Sequence, residues 1–186
     1  RGMTRRHRKN PPGLWLMTDE RVEEARLLSA IARLPRGRAG IVFRHYATPA
    51  RERRALYGKV ATLARRRRLV LMLGGGARNA AAWGADGWHG TDHRRGPKHL
   101  LHSAAVHDAR QLVAARRGRA AMIFVSPLFA TRSHPGVAAL GRVRFAALAV
   151  RATMPVMALG GVSARHRYAL VDMGAAGWGA IDGLTV

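Results

Sequence analysis

Short apolar runs alternate with longer stretches rich in Arg, Ala and Leu along nearly the whole chain. That rhythm constrains the fold more than any other feature. An apolar run of strand length followed by a helical stretch is the signature of a βα unit, and repeated units build a parallel sheet. The runs fall at 14–18, 40–44, 69–73, 87–89, 100–104, 121–126, 156–159 and 177–181. Helical stretches are predicted over 20–33, 49–66, 78–83, 106–116, 137–151 and 164–173. A helix within 94–99 is expected to be short or absent. Eight strands in this order favour a closed (β/α)₈ TIM barrel, an α/β fold, over an open doubly wound sheet.

Length bears on how complete that barrel is. The 186 residues suit one domain with a sizeable core. They fall below the minimum of about 200 residues usual for this fold. The last strand is followed almost at once by Val186, so the eighth helix is predicted to be mostly missing. The flank left open there is one a second subunit would cover, and a homodimer is expected. Residues 1–12 are predicted to be a basic disordered tail, and 13–186 a single barrel domain.

The chain carries 33 Lys and Arg against 10 Asp and Glu, a formal charge of +23. A nucleic-acid or acidic-membrane partner is one reading. Composition is the other. Lys occurs only at Lys9, Lys59 and Lys98, so the charge is almost all arginine in a chain heavy in Ala and Gly. Arg, Ala and Gly share GC-rich codons, and drift toward them supplies charge without a partner. Aromatic residues do not interleave with the basic runs, so no base-stacking platform is predicted and nucleic-acid binding is expected to be non-specific only. No apolar run approaches the length of a membrane span, and no membrane association is expected. The absence of cysteine removes disulfides and thiolate metal sites. The cytoplasm is the expected compartment.

The end of the chain carries the first functional signal. Pro155-Val-Met-Ala-Leu-Gly-Gly161 is a buried strand running into two glycines, and Gly174-Ala-Ala-Gly-Trp-Gly-Ala-Ile181 is another buried strand. The ends of the last two strands are where a barrel of this kind commonly binds phosphate. Glycine admits the anion close to the backbone, whose N–H groups can point at it. A small phosphorylated molecule is the substrate class expected.

Further segments stand in a definite order: Leu14-Trp-Leu-Met-Thr-Asp19, Gly84-Ala-Asp-Gly-Trp-His89 and Val125-Ser-Pro-Leu-Phe-Ala-Thr-Arg-Ser-His-Pro135, then the glycine strands. Together they resemble the thiamine-phosphate synthase and thiazole tautomerase family over roughly residues 14–184. The resemblance implies a commonly dimeric (β/α)₈ barrel acting on a thiazole phosphate in thiamine biosynthesis. Two activities follow from it. The synthase joins the thiazole phosphate to a pyrimidine pyrophosphate with Mg²⁺ and releases pyrophosphate. The tautomerase isomerises the thiazole ring and needs neither metal nor pyrophosphate.

The resemblance carries over unevenly. Gly160 and Gly161 match the family's phosphate-binding glycines, whereas its serine after the last strand is Asp182 here. Of the synthase's Gln-x-Arg-x-Lys pattern, Val42-Phe43-Arg44-His45-Tyr46 keeps only Arg44. Arg44 is a bidentate phosphate ligand or, equally, the partner of a nearby carboxylate. The Asn-Asp pair that supplies a metal ligand falls at Gly74-Gly75. A second metal-binding acid aligns with Asp92, with the local spacing one residue short. In the loop after the sixth strand, Thr131 and Ser133 keep hydroxyls, and His134 replaces a lysine.

His107 stands where the tautomerase has its proposed acid–base histidine. Imidazole can take and return a proton near neutral pH, as isomerisation of a ring carbon requires. The structural alternative is that His107 and Asp108 simply open a helix. His89, Trp15, Trp83, Trp88 and Trp178 are predicted to pack. With the synthase's Gln, Lys, Asn and Asp positions changed, the reading favoured is a metal-independent, tautomerase-like isomerase, with no certain cofactor. The alternatives are a Mg²⁺-dependent synthase and an inactive barrel that binds a phosphate ligand or a polyanion.

Overall fold

Eight parallel strands pair in sequence order, and β1 pairs with both β2 and β8, which closes the sheet into a barrel. The computed structural model describes residues 10–91, 96–131, 136 and 138–185. The strands are β1 (Leu14–Met17), β2 (Ala39–Phe43), β3 (Val70–Gly74), β4 (Gly87–His89), β5 (Leu101–Val106), β6 (Met122–Val125), β7 (Val156–Ala158) and β8 (Gly177–Ala180). Nearly every strand residue is buried because the barrel interior covers one face and helices cover the other. The fold is a compact (β/α)₈ TIM barrel.

The helices are α1 (Glu24–Arg33), α2 (Ala50–Arg67), α3 (Ala77–Trp83), α4 (Ala109–Arg117), α5 (Gly141–Arg151), α6 (Arg167–Asp172) and α7 (Asp182–Thr185). Each predicted helix is present, and the differences lie at the ends. The stretch expected from residue 20 starts at Glu24, because the Asp19 carboxylate takes the Arg21 N–H and holds a turn. The stretch expected from residue 106 starts at Ala109. Strand β5 runs on to Val106, and Asp108 is an N-cap whose carboxylate accepts from the Gln111 N–H at 2.7 Å. The stretch expected from residue 137 becomes helical only at Gly141, where φ is +71°. The last predicted helix is a 3₁₀ turn (Ala164–His166) followed by α6. Among the described residues no helix joins β4 to β5, and α7 has only four residues.

Three apolar clusters divide the core. One fills the barrel and includes Trp15, Met17, Val42, Met72, Met122, Phe124, Met157 and Ile181. Trp15 meets Phe124 edge-on at 5.7 Å and lies on Gly40, where a Cβ would stand 2.3 Å from its ring. The other two clusters pack helices on opposite flanks of the barrel. Trp15 and Trp88 are buried, and Trp83 and Trp178 pack at the edges of these clusters. Pro12, inside the stretch expected to be a tail, is buried and accepts from the Trp15 indole N–H. No helix among the described residues is long and apolar enough to cross a membrane.

Candidate active site at the C-terminal rim of the barrel

A pocket of about 440 Å³ opens where β2, β5, β6, β7 and β8 end. Arg44, His107, Thr131, Gly160 and Gly161 all line it, together with Asp182. Asp92, Ser133 and His134 lie outside the described residues. Sequence reading passed over Ser126, Ser163 and Arg165, which also line the pocket. Ser126 was visible in its Val-Ser-Pro run, whereas Arg165 was hidden among the surface arginines of a predicted helix.

His107 follows β5 directly, with its ring between that strand and the end of β6. Its Nδ1 lies 2.6 Å from the carbonyl oxygen of Ser126 and 3.3 Å from the Ser126 hydroxyl. A carbonyl can only accept, so Nδ1 carries the proton in the neutral ring. Nε2 is then left with its lone pair. The side chain of Gln111 accepts from the His107 N–H at 2.7 Å, which fixes the backbone as well. The residue is exposed, so a ligand in the pocket can reach it.

Gly160 and Gly161 hold left-handed backbone, with φ of +90° and +64°. A Cβ at Gly160 would stand 2.7 Å from Pro127 Cα, and one at Gly161 would stand 2.6 Å from the Ala130 oxygen. The β6 and β7 loops are therefore interlocked, and Phe129 N–H donates to Gly160 O at 3.0 Å. Glycine is required here by the chain's own packing before any ligand is considered. Beyond it, Ser163 and His166 form a capping box, with the Ser163 N–H donating to His166 Nδ1 at 3.1 Å. Burial and the neighbouring Arg165 and Arg142 charges push the His166 imidazole down from its ordinary value.

Arg44 is committed to the end of β1. Its Nε donates to the Thr18 carbonyl at 2.8 Å, and Nη2 meets Asp19 Oδ2 at 3.2 Å. The carboxylate pairing is present, and the guanidinium also lines the pocket. Burial raises the Asp19 carboxyl, but the Arg21 hydrogen bonds and the two guanidinium charges outweigh it and hold the group below its ordinary value. Arg21 also lies in the field of Asp182. His89, predicted to pack, is buried beneath the site with Nδ1 2.9 Å from the Ser103 hydroxyl, and burial pushes it down to about 4.

The corner where the family's metal ligand would stand differs. At Gly74 a Cβ would lie 2.6 Å from the Tyr46 hydroxyl, so a phenol fills the space that a side chain from β3 would use. Arg53 reaches the same corner from α2 and donates to both Arg44 O and Gly74 O at 3.0 Å. Among the described residues no group of three His, Cys, Asp or Glu side chains converges. A phenol, a guanidinium and two glycines do not make the hard oxygen cage that Mg²⁺ requires.

Residues 14–184 match the family described as thiamine monophosphate synthase. The chain belongs to the thiamine monophosphate synthase family. It is 26% identical over 175 residues to a thiamine-phosphate synthase of Thiobacillus denitrificans, covering 89% of this chain and 83% of that one. Among solved structures, the family's fold recurs in the thiamine phosphate pyrophosphorylase of Pyrococcus furiosus, with a TM-score of 0.76 at 19% identity. That match covers 96% of this chain and 89% of the other. The tryptophan synthase complex of Pyrococcus furiosus gives a TM-score of 0.68 at 14% identity, covering 95% and 90%. At those identities the structural matches speak for the barrel alone. Membership in the thiamine monophosphate synthase family connects the chain to thiamine biosynthesis.

Proposed function

We propose that this family member binds a thiazole phosphate and acts as a metal-independent, tautomerase-like isomerase. The observation that carries the reading is the His107–Ser126 bond. It holds a proton on Nδ1 and leaves Nε2 as the acceptor, on a residue that lines the pocket. In the reaction Nε2 takes a proton from one ring position and returns it at another, so atoms and charge balance within one substrate. The Ser126 carbonyl accepts from Nδ1 in both protonation states and stabilises the transient imidazolium.

The phosphate is assigned to the β7 and β8 ends, against the Gly160–Gly161 backbone, Ser163 and Arg165. Thr131, in the β6 loop that packs on Gly161, supplies a hydroxyl. Arg44 contributes positive potential, tempered by Asp19. The Mg²⁺-dependent synthase is the second reading. Family membership and the retained Arg44 favour it, and the Tyr46–Gly74 contact opposes it.

Calorimetric titration separates the two. The isomerase reading expects thiazole phosphate to bind without Mg²⁺ and the pyrimidine pyrophosphate not to bind. Mg²⁺-dependent pyrimidine binding with release of pyrophosphate would establish the synthase. Silence with both ligands would mean that the barrel has lost its family's substrate.

A further inference from the structure

Charge is sorted along the barrel axis. Helices α1 to α6 each return the chain to the N-terminal end of the next strand, and the connections there are rich in arginine. Arg36 and Arg38 precede β2, Arg65 and Arg68 precede β3, and Arg116 and Arg119 precede β6, all of them exposed. The first two connections are tied together, since Gly37 N–H donates to Arg67 O and Arg67 Nη2 donates to Leu34 O. Of the carboxylates in the described residues, only Asp86 and Asp172 belong to this end, and Asp86 accepts from the Leu71 N–H. The ion pairs formed by Arg21, Arg44 and Lys59 all involve Asp19 or Glu24, on the β1–α1 side of the opposite rim.

Helix dipoles favour cations at helix C-termini, but they do not account for this placement alone. Four helices end in one kind of turn, in which an N–H reaches a carbonyl five residues back. The bonds are Leu69 to Ala64, Ala85 to Ala80, Ala120 to Ala115 and Ala175 to Leu170. Such a turn needs a left-handed residue, which glycine adopts without strain. At Gly84 and Gly174 the chain uses glycine, with φ of +69° and +82°; at Arg68 and Arg119 it uses arginine, with φ of +57° and +53°. Arg and Gly share GC-rich codons, so drift would supply glycine at 68 and 119 as readily. Arginine stands at the two positions where the backbone disfavours it, and both lie on the basic face.

We propose that this N-terminal face is a docking surface for the phosphate backbone of a nucleic-acid duplex, bound without regard to sequence. Guanidinium groups match phosphate oxygens in pairs, and a set of them on both sides of a rim suits a repeating anion. Among the described residues the face offers no exposed aromatic ring for bases to stack on, since the exposed tyrosines, Tyr46 and Tyr168, lie elsewhere. Within the 34–38, 65–69 and 116–120 connections no large apolar side chain is exposed to enter a bilayer. The duplex backbone is thus favoured over a single strand or a membrane, and the surface is independent of the catalytic reading of the opposite rim.

The test is fluorescence anisotropy of a labelled DNA duplex of about 20 base pairs across a salt series, with the full chain. Because any protein of this charge attracts polyanions, two triple variants of equal charge are compared. R65E/R68E/R119E alters the face, and R26E/R51E/R110E alters helix positions away from it. The face variant is expected to weaken binding at least about tenfold and lower the salt slope by about three, with the control much less affected. R68G/R119G keeps the turns and covers the case in which the face variant fails to fold. It is expected to melt no lower than the parent and to bind the duplex more weakly. Equal losses in the two triples, duplex binding unchanged in R68G/R119G, or stronger capture by phosphatidylglycerol vesicles than by the duplex would each overturn the proposal.

Discussion

His107 Nδ1 lies 2.6 Å from the Ser126 carbonyl oxygen, and that contact sets which ring nitrogen is left for chemistry. Replacing His107 with Ala is expected to lower isomerisation by about 10²- to 10⁴-fold, the usual contribution of a positioned acid–base group. Thiazole-phosphate affinity should stay within about threefold, since the phosphate is assigned to other elements. Product formation followed by NMR, with calorimetric binding alongside, checks both halves. An unchanged rate would remove His107 from the mechanism.

Asp182 lines the pocket where a phosphate dianion is proposed to sit, with Arg21 in its field. Replacing it with Ser removes a like charge from the anion's surroundings. The expected result is about three- to tenfold tighter binding of thiazole phosphate or inorganic phosphate, more marked at low salt. Weaker binding in Asp182→Ser would show that the carboxylate faces away from the anion and supports the site indirectly.

Gly160 cannot accept a side chain. Its φ is +90°, and a Cβ would press on Pro127 at 2.7 Å, which is backbone and cannot step aside. Gly160→Ala is expected to destabilise the fold by about 2–4 kcal/mol and to lower substrate affinity with it. Chemical denaturation measures the first effect. A stability within about 0.5 kcal/mol of the parent would contradict the interlocking of the β6 and β7 loops.

His89 makes the barrel sensitive to acid. Burial holds its folded-state value near 4, below the unfolded reference of about 6.5. A depressed histidine contributes stability that is full above about 6.5 and is lost as pH falls toward 4, because only the unfolded chain readily binds the proton. The slope of unfolding free energy against pH is expected to be positive between those values, amounting to roughly 3 kcal/mol in all. His89→Gln should flatten that slope whatever it does to stability at pH 7. A slope the same in both proteins would assign the acid sensitivity to other groups.

The β4 run at 87–89 was legible to the residue because Gly87-Trp-His89 is a short apolar break between turn signals. Helix starts were less legible. Asp108 could be seen as a helix opener, but only its bond to Gln111 shows that β5 extends to Val106 and the helix begins after the cap. The convergence of Arg44, His107, Thr131, Gly160 and Gly161 on one pocket rests on four separate strand ends and loops, which motif order alone could not place side by side.

Sequence alone determined the alternating βα rhythm, the strand count and the residue types at the strand ends, because periodicity and composition act locally along the chain. Tertiary structure decided the rest. It showed that Arg44 is tied to Asp19, that Tyr46 fills the space beside Gly74, and that Ser126 orients His107. Each of these is a contact between residues 19 to 28 positions apart in the chain. Such contacts form only when barrel closure brings neighbouring strand ends within hydrogen-bonding reach.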